Sequence, residues 1–171
     1  PKISKVKRHP GQKKTTDNIH KLIENSEITE KFKDYRTQDA LSIRSIPQVH
    51  GACKDAVDYV RTIVEREMNS ASDNPLVFDD QEGARAISSS NCHGEAIALA
   101  MDFLAISLSE LANISERRIF RLVSPQYSEL PPYLIEQSGL NSGYMIPQYV
   151  AASLVSNNKV YSHPSSVDSI P

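Results

Sequence analysis

Gln38, Asp39 and Arg44 fall within one seven-residue stretch, QDALSIR (38–44), directly ahead of Pro47-Gln48-Val49-His50. A primary amide both donates and accepts hydrogen bonds, and a guanidinium offers a planar fork that fits a carboxylate through two parallel bonds. Held together at a helix entrance, such groups could grip an anionic substrate. The same residues also fit a solvated loop in which Arg44 pairs with Asp39, an exposed ion pair of small energetic weight. Two more polar clusters follow, Ser72-Asp73-Asn74 and Ser88-Ser89-Ser90-Asn91-Cys92-His93. Asp73 and Asn74 suit a helix stop and turn, and Ser90 or Asn91 suits a helix N-cap.

Other chemistries find less support. His50, His93 and His163 are far apart, with no histidine pair at i, i+4 and no Cys-x-x-Cys, so no metal site is expected. GxSxG, P-loop and GxGxxG motifs are missing, although a Ser-His-Asp triad stays open on residue counts alone. The formal net charge of −2 gives no bulk attraction to nucleic acid or to an anionic membrane. Two separated cysteines, Cys53 and Cys92, without a secretory apolar segment at the start, suggest a reducing, cytoplasmic setting. The longest apolar run, Ala96 to Ile106, is broken by Asp102 and is short for a bilayer span.

The elements that would position these residues are helical. Residues 1–14 are polar and basic and read as a frayed start. Thr15, Thr16 and Asp17 can cap a short helix with Ile19, Leu22 and Ile23 on its apolar face. Residues 25–48 read as loop and short turns, with Pro47 as a boundary. From Val49 to Ala71 apolar residues recur at i, i+3, i+4, which predicts an amphipathic helix ending before Pro75. Residues 76–90 read as a connector with its tip at Asp79-Asp80 and Glu82-Gly83. A second long helix is expected from about His93 to Leu122, apolar around most of its circumference and therefore buried or shared between subunits. A third covers about Ser142 to Tyr161, with Pro147 marking a kink or a late start. No strand alternation stands out. The expected fold class is mostly α: a bundle of long helices, residues 1–171 forming a single helical segment. The chain opens at Pro1 without a methionine and stops at Ser169-Ile170-Pro171, which reads as a piece of a longer chain.

Several segments, taken in order, resemble one family. They are HPGQ (9–12), QDALSIRSIPQVHGA (38–52), EREMNSASDNPLVF (65–78), SNCHGE (90–95), ALAMDFLAISLSELANISERRI (98–119), LNSGYMIPQYVAASLVSNNKV (140–160) and HPSSVDSIP (163–171). They are similar to histidine ammonia-lyases and the wider group of aromatic amino-acid lyases and aminomutases. The resemblance implies a middle-to-C-terminal part of a cytoplasmic homotetramer of long helices, with active sites shared between subunits. It implies 4-methylideneimidazol-5-one as the electrophile, formed from an internal Ala-Ser-Gly. No Ala-Ser-Gly occurs in these 171 residues, so the group would form outside them, and these residues alone are expected to be inactive. By resemblance, Gln38 matches the glutamine that hydrogen-bonds near the electrophile, and Arg44 the arginine that holds the substrate carboxylate. Leu41 stands where the family usually has tyrosine, and Cys92 where the histidine-specific enzymes usually have phenylalanine; both would face the substrate. An ammonia-lyase acting on an amino acid is the leading expectation. An aminomutase and a helical assembly module without chemistry are the alternatives.

Overall fold

The computed structural model describes residues 2–81 and 83–168. Its α-helices are α1 (Lys2–Val6), α2 (Pro10–Ile23), α3 (Glu27–Phe32), α4 (Leu41–Arg44), α5 (Ile46–Met68), α6 (Glu95–Val123), α7 (Pro125–Ser128) and α8 (Met145–Tyr161). A short 3-10 turn covers Pro132–Leu134. The mostly helical fold class expected from sequence is the one observed. The connector at 76–90 differs from expectation. It is an antiparallel hairpin of β1 (Leu76–Asp80) and β2 (Gly83–Ile87), in register from Leu76 opposite Ile87 to Asp80 opposite Gly83. Alternation is lost because β2 is exposed at every residue, so neither face of that strand had to be apolar. The tip falls where the acidic and glycine residues placed it, and Gly83 takes a positive φ of 100° that a side chain would resist.

α2 begins earlier than Thr15. Pro10 occupies the first turn, where its missing N–H is no loss and its φ is preset. His9 provides no side-chain cap; the Gly11 N–H instead donates to Asp55 Oδ1 of α5 at 2.7 Å. The end of α2 is thus capped by a neighbouring helix, a partner that local sequence cannot reveal. The stretch 1–14, expected to fray, is helical over Lys2–Val6 and from Pro10 onward, and Gly11 and Gln12 are buried. Thr15 and Thr16 lie inside the helix and donate to the carbonyls of Gly11 and Gln12. The packed face of α2 is therefore Gly11, Gln12 and Thr15, while Leu22 is largely exposed.

α5 starts with Pro47 in its first turn and buries Gly51, Cys53, Ala56 and Val60. Gly51 meets α2 with backbone against backbone: a Cβ there would stand 2.5 Å from the Gln12 Cα. On another side, Cys53 Sγ donates to the Ser107 carbonyl of α6 at 3.3 Å, and Tyr59 meets Phe103 edge-on at 5.7 Å. α6 packs on α5 and α8 through a narrow stripe, Ala100, Ser107, Glu116 and Val123. Asp102, which interrupts the apolar run, accepts from the Ser166 N–H at 2.8 Å, tying the segment after α8 back to α6. Pro147 is the third residue of α8, consistent with a late start and with a residue whose N–H would be unsatisfied in any case.

α6 continues well past Ile106, and the whole helix is long and apolar enough to cross a membrane by length and composition. Its packed stripe nevertheless carries a buried carboxylate: Glu116, 4% exposed, takes two bonds from Arg117 and one from Gln148 of α8 at 3.0 Å. The Arg117 hydrogen bond holds this carboxyl below its usual range against the opposing effect of burial. The apolar core is thin: Cys53, Ala56, Val60, Ala100 and Val123.

Candidate active site

The stretch 38–44 spans the loop before α4 and α4 itself. Ala40 leads into the helix, its carbonyl accepting from the N–H groups of Ile43 and Arg44. Arg44 then turns back, and its Nε donates to the Asp39 carbonyl oxygen at 2.9 Å. The partner is the backbone of Asp39 and not the carboxylate. A guanidinium fixed by Nε keeps both Nη groups, the end-on face of the fork, available for a carboxylate. Gln38, Leu41 and Arg44 are all exposed, Leu41 at 68%. α4 leads through Ser45 directly into α5 and also touches α6, so the Leu41–Arg44 end of the stretch is seated on the bundle.

Cys92 lies in the turn before α6, exposed and with a free thiol. Among the described residues no hydrogen bond joins any two of Gln38, Leu41, Arg44 and Cys92. The two remaining polar clusters come together with each other. Asn74 Oδ1 accepts from the Ser89 N–H at 2.9 Å and from Ser88 Oγ at 3.3 Å, and Asn91 Nδ2 donates to the Ala71 carbonyl at 3.3 Å. They close the base of the hairpin. The expected cap at Ser90 or Asn91 is displaced: Gly94 precedes α6, and His93 Nδ1 accepts the Glu95 N–H at 3.2 Å.

Sequence reasoning missed two features near this stretch. The first is His50, on α5 six residues beyond Arg44, whose imidazole is pushed below its usual range by burial and then by the cations Lys54 and Arg118. The second is a clamp on the loop ahead of Gln38. Tyr35 donates its hydroxyl to Glu129 Oε2 at 2.6 Å, and the Arg36 guanidinium pairs with Glu129 Oε1. The two bonds hold the Glu129 carboxyl down, and the bond to Glu129 pushes the Tyr35 phenol up against the opposing effect of Arg36. Partners more than ninety residues apart leave no local signal in a sequence. Among the described residues no three metal-ligating side chains gather.

The profile of the aromatic amino acid lyase family matches residues 1–171. The chain belongs to that family. A histidine ammonia-lyase of Caldanaerobacter subterraneus subsp. tengcongensis is 56% identical over 170 residues, which are 99% of this chain and 33% of that enzyme. The crystal structure of histidine ammonia-lyase from Trypanosoma cruzi superposes with a TM-score of 0.85 at 46% identity, over 99% of this chain and 31% of the other. Phenylalanine aminomutase of Pantoea agglomerans superposes at 0.88 with 30% identity, over 99% of this chain and 36% of the other. This aromatic amino acid lyase chain thus spans about a third of the length of the relatives it matches. The family resemblance brings 4-methylideneimidazol-5-one into question, and the residues present bear on it in one place. Ala-Ser-Gly does not occur among the 171 residues, and the Gln38 amide, exposed in the loop before α4, is a donor and acceptor that could hydrogen-bond such a group.

Proposed function

We propose that this chain is part of an ammonia-lyase of the histidine ammonia-lyase type, an enzyme that eliminates ammonia from an α-amino acid to leave an unsaturated acid. The observation that carries the reading is Arg44: its Nε is bonded to the Asp39 carbonyl and the residue is exposed, in a chain 56% identical to a histidine ammonia-lyase. In this reading Arg44 binds the substrate carboxylate end-on, and Leu41 and Cys92 line the side-chain pocket. The 4-methylideneimidazol-5-one group supplies an electrophile for activation of the amino group, and Gln38 hydrogen-bonds beside it. A pre-positioned guanidinium fixes the reacting end of the substrate, which lowers the entropic part of the barrier. The working molecule is a cytoplasmic homotetramer, and these 171 residues alone do not turn substrate over. The likeness to a phenylalanine aminomutase favours a second outcome, transfer of the amino group to the β-carbon.

The test is Arg44→Ala in the full-length protein, assayed with histidine, phenylalanine and tyrosine for unsaturated and β-amino acid products. The expected loss in kcat/KM corresponds to about 2–4 kcal/mol, the scale for removing one partner of a desolvated charge pair. Unchanged kcat/KM would remove Arg44 from the site. A β-amino acid as the main product would select the aminomutase.

A further inference from the structure

The upstream half of the candidate site has little packing of its own. α3 buries no residue, and the segment from Lys33 to Ala40 has no regular helix to stiffen it. Gln38 sits in that segment, and α4 begins only at Leu41. A free loop of this kind would sample many conformations, and fixing each backbone residue carries an entropic cost. Downstream, the stretch is held by α4 and α5. Upstream, the hold is on Glu129.

Glu129 is well placed for this. It ends α7 in the left-handed conformation, φ 60°, with its N–H closing on the Pro125 carbonyl at 2.9 Å, so its carboxylate leaves the backbone from a defined turn. α7 is joined to α6 through Ser124 and packed on it by Phe120 and Tyr127, with ring centroids 6.1 Å apart. Both oxygens of the one carboxylate are used, Oε2 by the Tyr35 hydroxyl and Oε1 by the Arg36 guanidinium. The Tyr35 ring is itself flanked by Phe32 at 5.6 Å and by Arg36 at 5.5 Å. An exposed ion pair alone is a weak tether. Two bonds from adjacent residues to one carboxylate, with the phenol ring set edge-on against Phe32, define a direction as well as a distance. The loop carrying Gln38 is therefore a strap, fastened to α6 through Glu129 at one end and through α4 and α5 at the other.

We propose that Glu129 is a positioning residue for the Gln38–Arg44 stretch, fixing through Tyr35 and Arg36 the geometry in which that stretch meets substrate. Its catalytic consequence rests on the reading of Arg44 given above; the clamp itself does not. Two readouts in the full-length protein keep these apart. Amide hydrogen exchange over residues 37–45 should speed up in Glu129→Ala, less so in Glu129→Gln, and equally in the reciprocal pair Tyr35→Phe with Arg36→Gln. Exchange unchanged in all three overturns the proposal.

The second readout is a double-mutant cycle on KM. Glu129→Ala should raise KM by roughly three- to tenfold in the presence of Arg44 and have little further effect in Arg44→Ala, because residues acting as one unit are not additive. A merely stabilising role would lower the melting temperature and leave KM unchanged well below it. A fully additive cycle, or a KM that does not move while Arg44→Ala does raise it, overturns the positioning role. Faster exchange with an Arg44→Ala variant that binds substrate normally would uphold the clamp and defeat the reading of Arg44.

Discussion

Arg44 shows how one side chain can be both anchored and available. Its Nε is held by a carbonyl five residues back, and the residue remains exposed. The sequence put Asp39 near Arg44 but suggested its carboxylate as the partner; the pairing through the backbone arises because α4 turns the arginine over the loop that precedes it. Leu41, on the same short helix, poses the sharper functional question. Leucine can neither donate nor accept a proton where the family resemblance implies a phenol. Leu41→Tyr in the full-length protein is expected to raise kcat if a proton-handling group is missing there. Unchanged kinetics would show that this pocket works without one. Cys92 is placed by the turn before α6, and its neighbours across the hairpin base serve that turn, which no spacing rule in the sequence announced.

At the level of elements, long periodic helices were legible and short or cross-braced ones were not. α5, α6 and α8 follow from apolar periodicity, and α5 and α8 also carry a proline in their first turns. The face of α2 was misread because its contact is made by Gly11, Gln12 and Thr15, residues that a hydrophobic pattern ignores. The close approach makes a clear prediction. Gly51→Ala would drive a methyl group into the backbone of α2 and should destabilise the protein by about 1–3 kcal/mol, read from its denaturant midpoint. An unaltered midpoint would mean the two helices can separate freely.

His50 supplies a pH dependence at the same scale. Its folded pKa lies below the usual 6.5, so the unfolded chain takes up the proton first. The stabilisation is therefore present above pH 6.5 and is lost as the pH falls through the lowered folded value. His50→Gln should flatten the melting-temperature profile across that acidic range, and Lys54→Met should raise the His50 pKa measured by NMR. A profile identical to that of the native protein would exclude His50 as the titrating group.

For the whole molecule, surface area is the informative quantity. The chain exposes 13116 Å², whereas a compact monomer of 19.0 kDa exposes about 8,400 Å². Phe103, Ile106, Leu108 and Leu122 of α6 and Tyr149, Val150 and Leu154 of α8 account for part of the excess. Patches of this extent mark surfaces meant for contact. The 171-residue piece should self-associate in light scattering; a clean monomer at high concentration would contradict that. The apolar circumference of α6 was readable in the sequence as a buried or shared helix. What covers it lies beyond the reach of any periodicity. Intact mass of the full-length protein bears on the chemistry: a deficit of two waters at an Ala-Ser-Gly peptide is expected, and its absence would favour an assembly module without catalysis.

The β1–β2 hairpin stands in contrast to these helices. Its strands pair with each other, β2 is exposed along its full length, and its base is closed by its own flanking asparagines and serines. Such a unit tolerates added length at its exposed tip, because β1 and β2 take their ladder bonds from each other. A peptide tag or fluorophore inserted beside Gln81 would be a handle on the folded molecule, a place to immobilise or label it while the helices and the strap above α6 keep their arrangement.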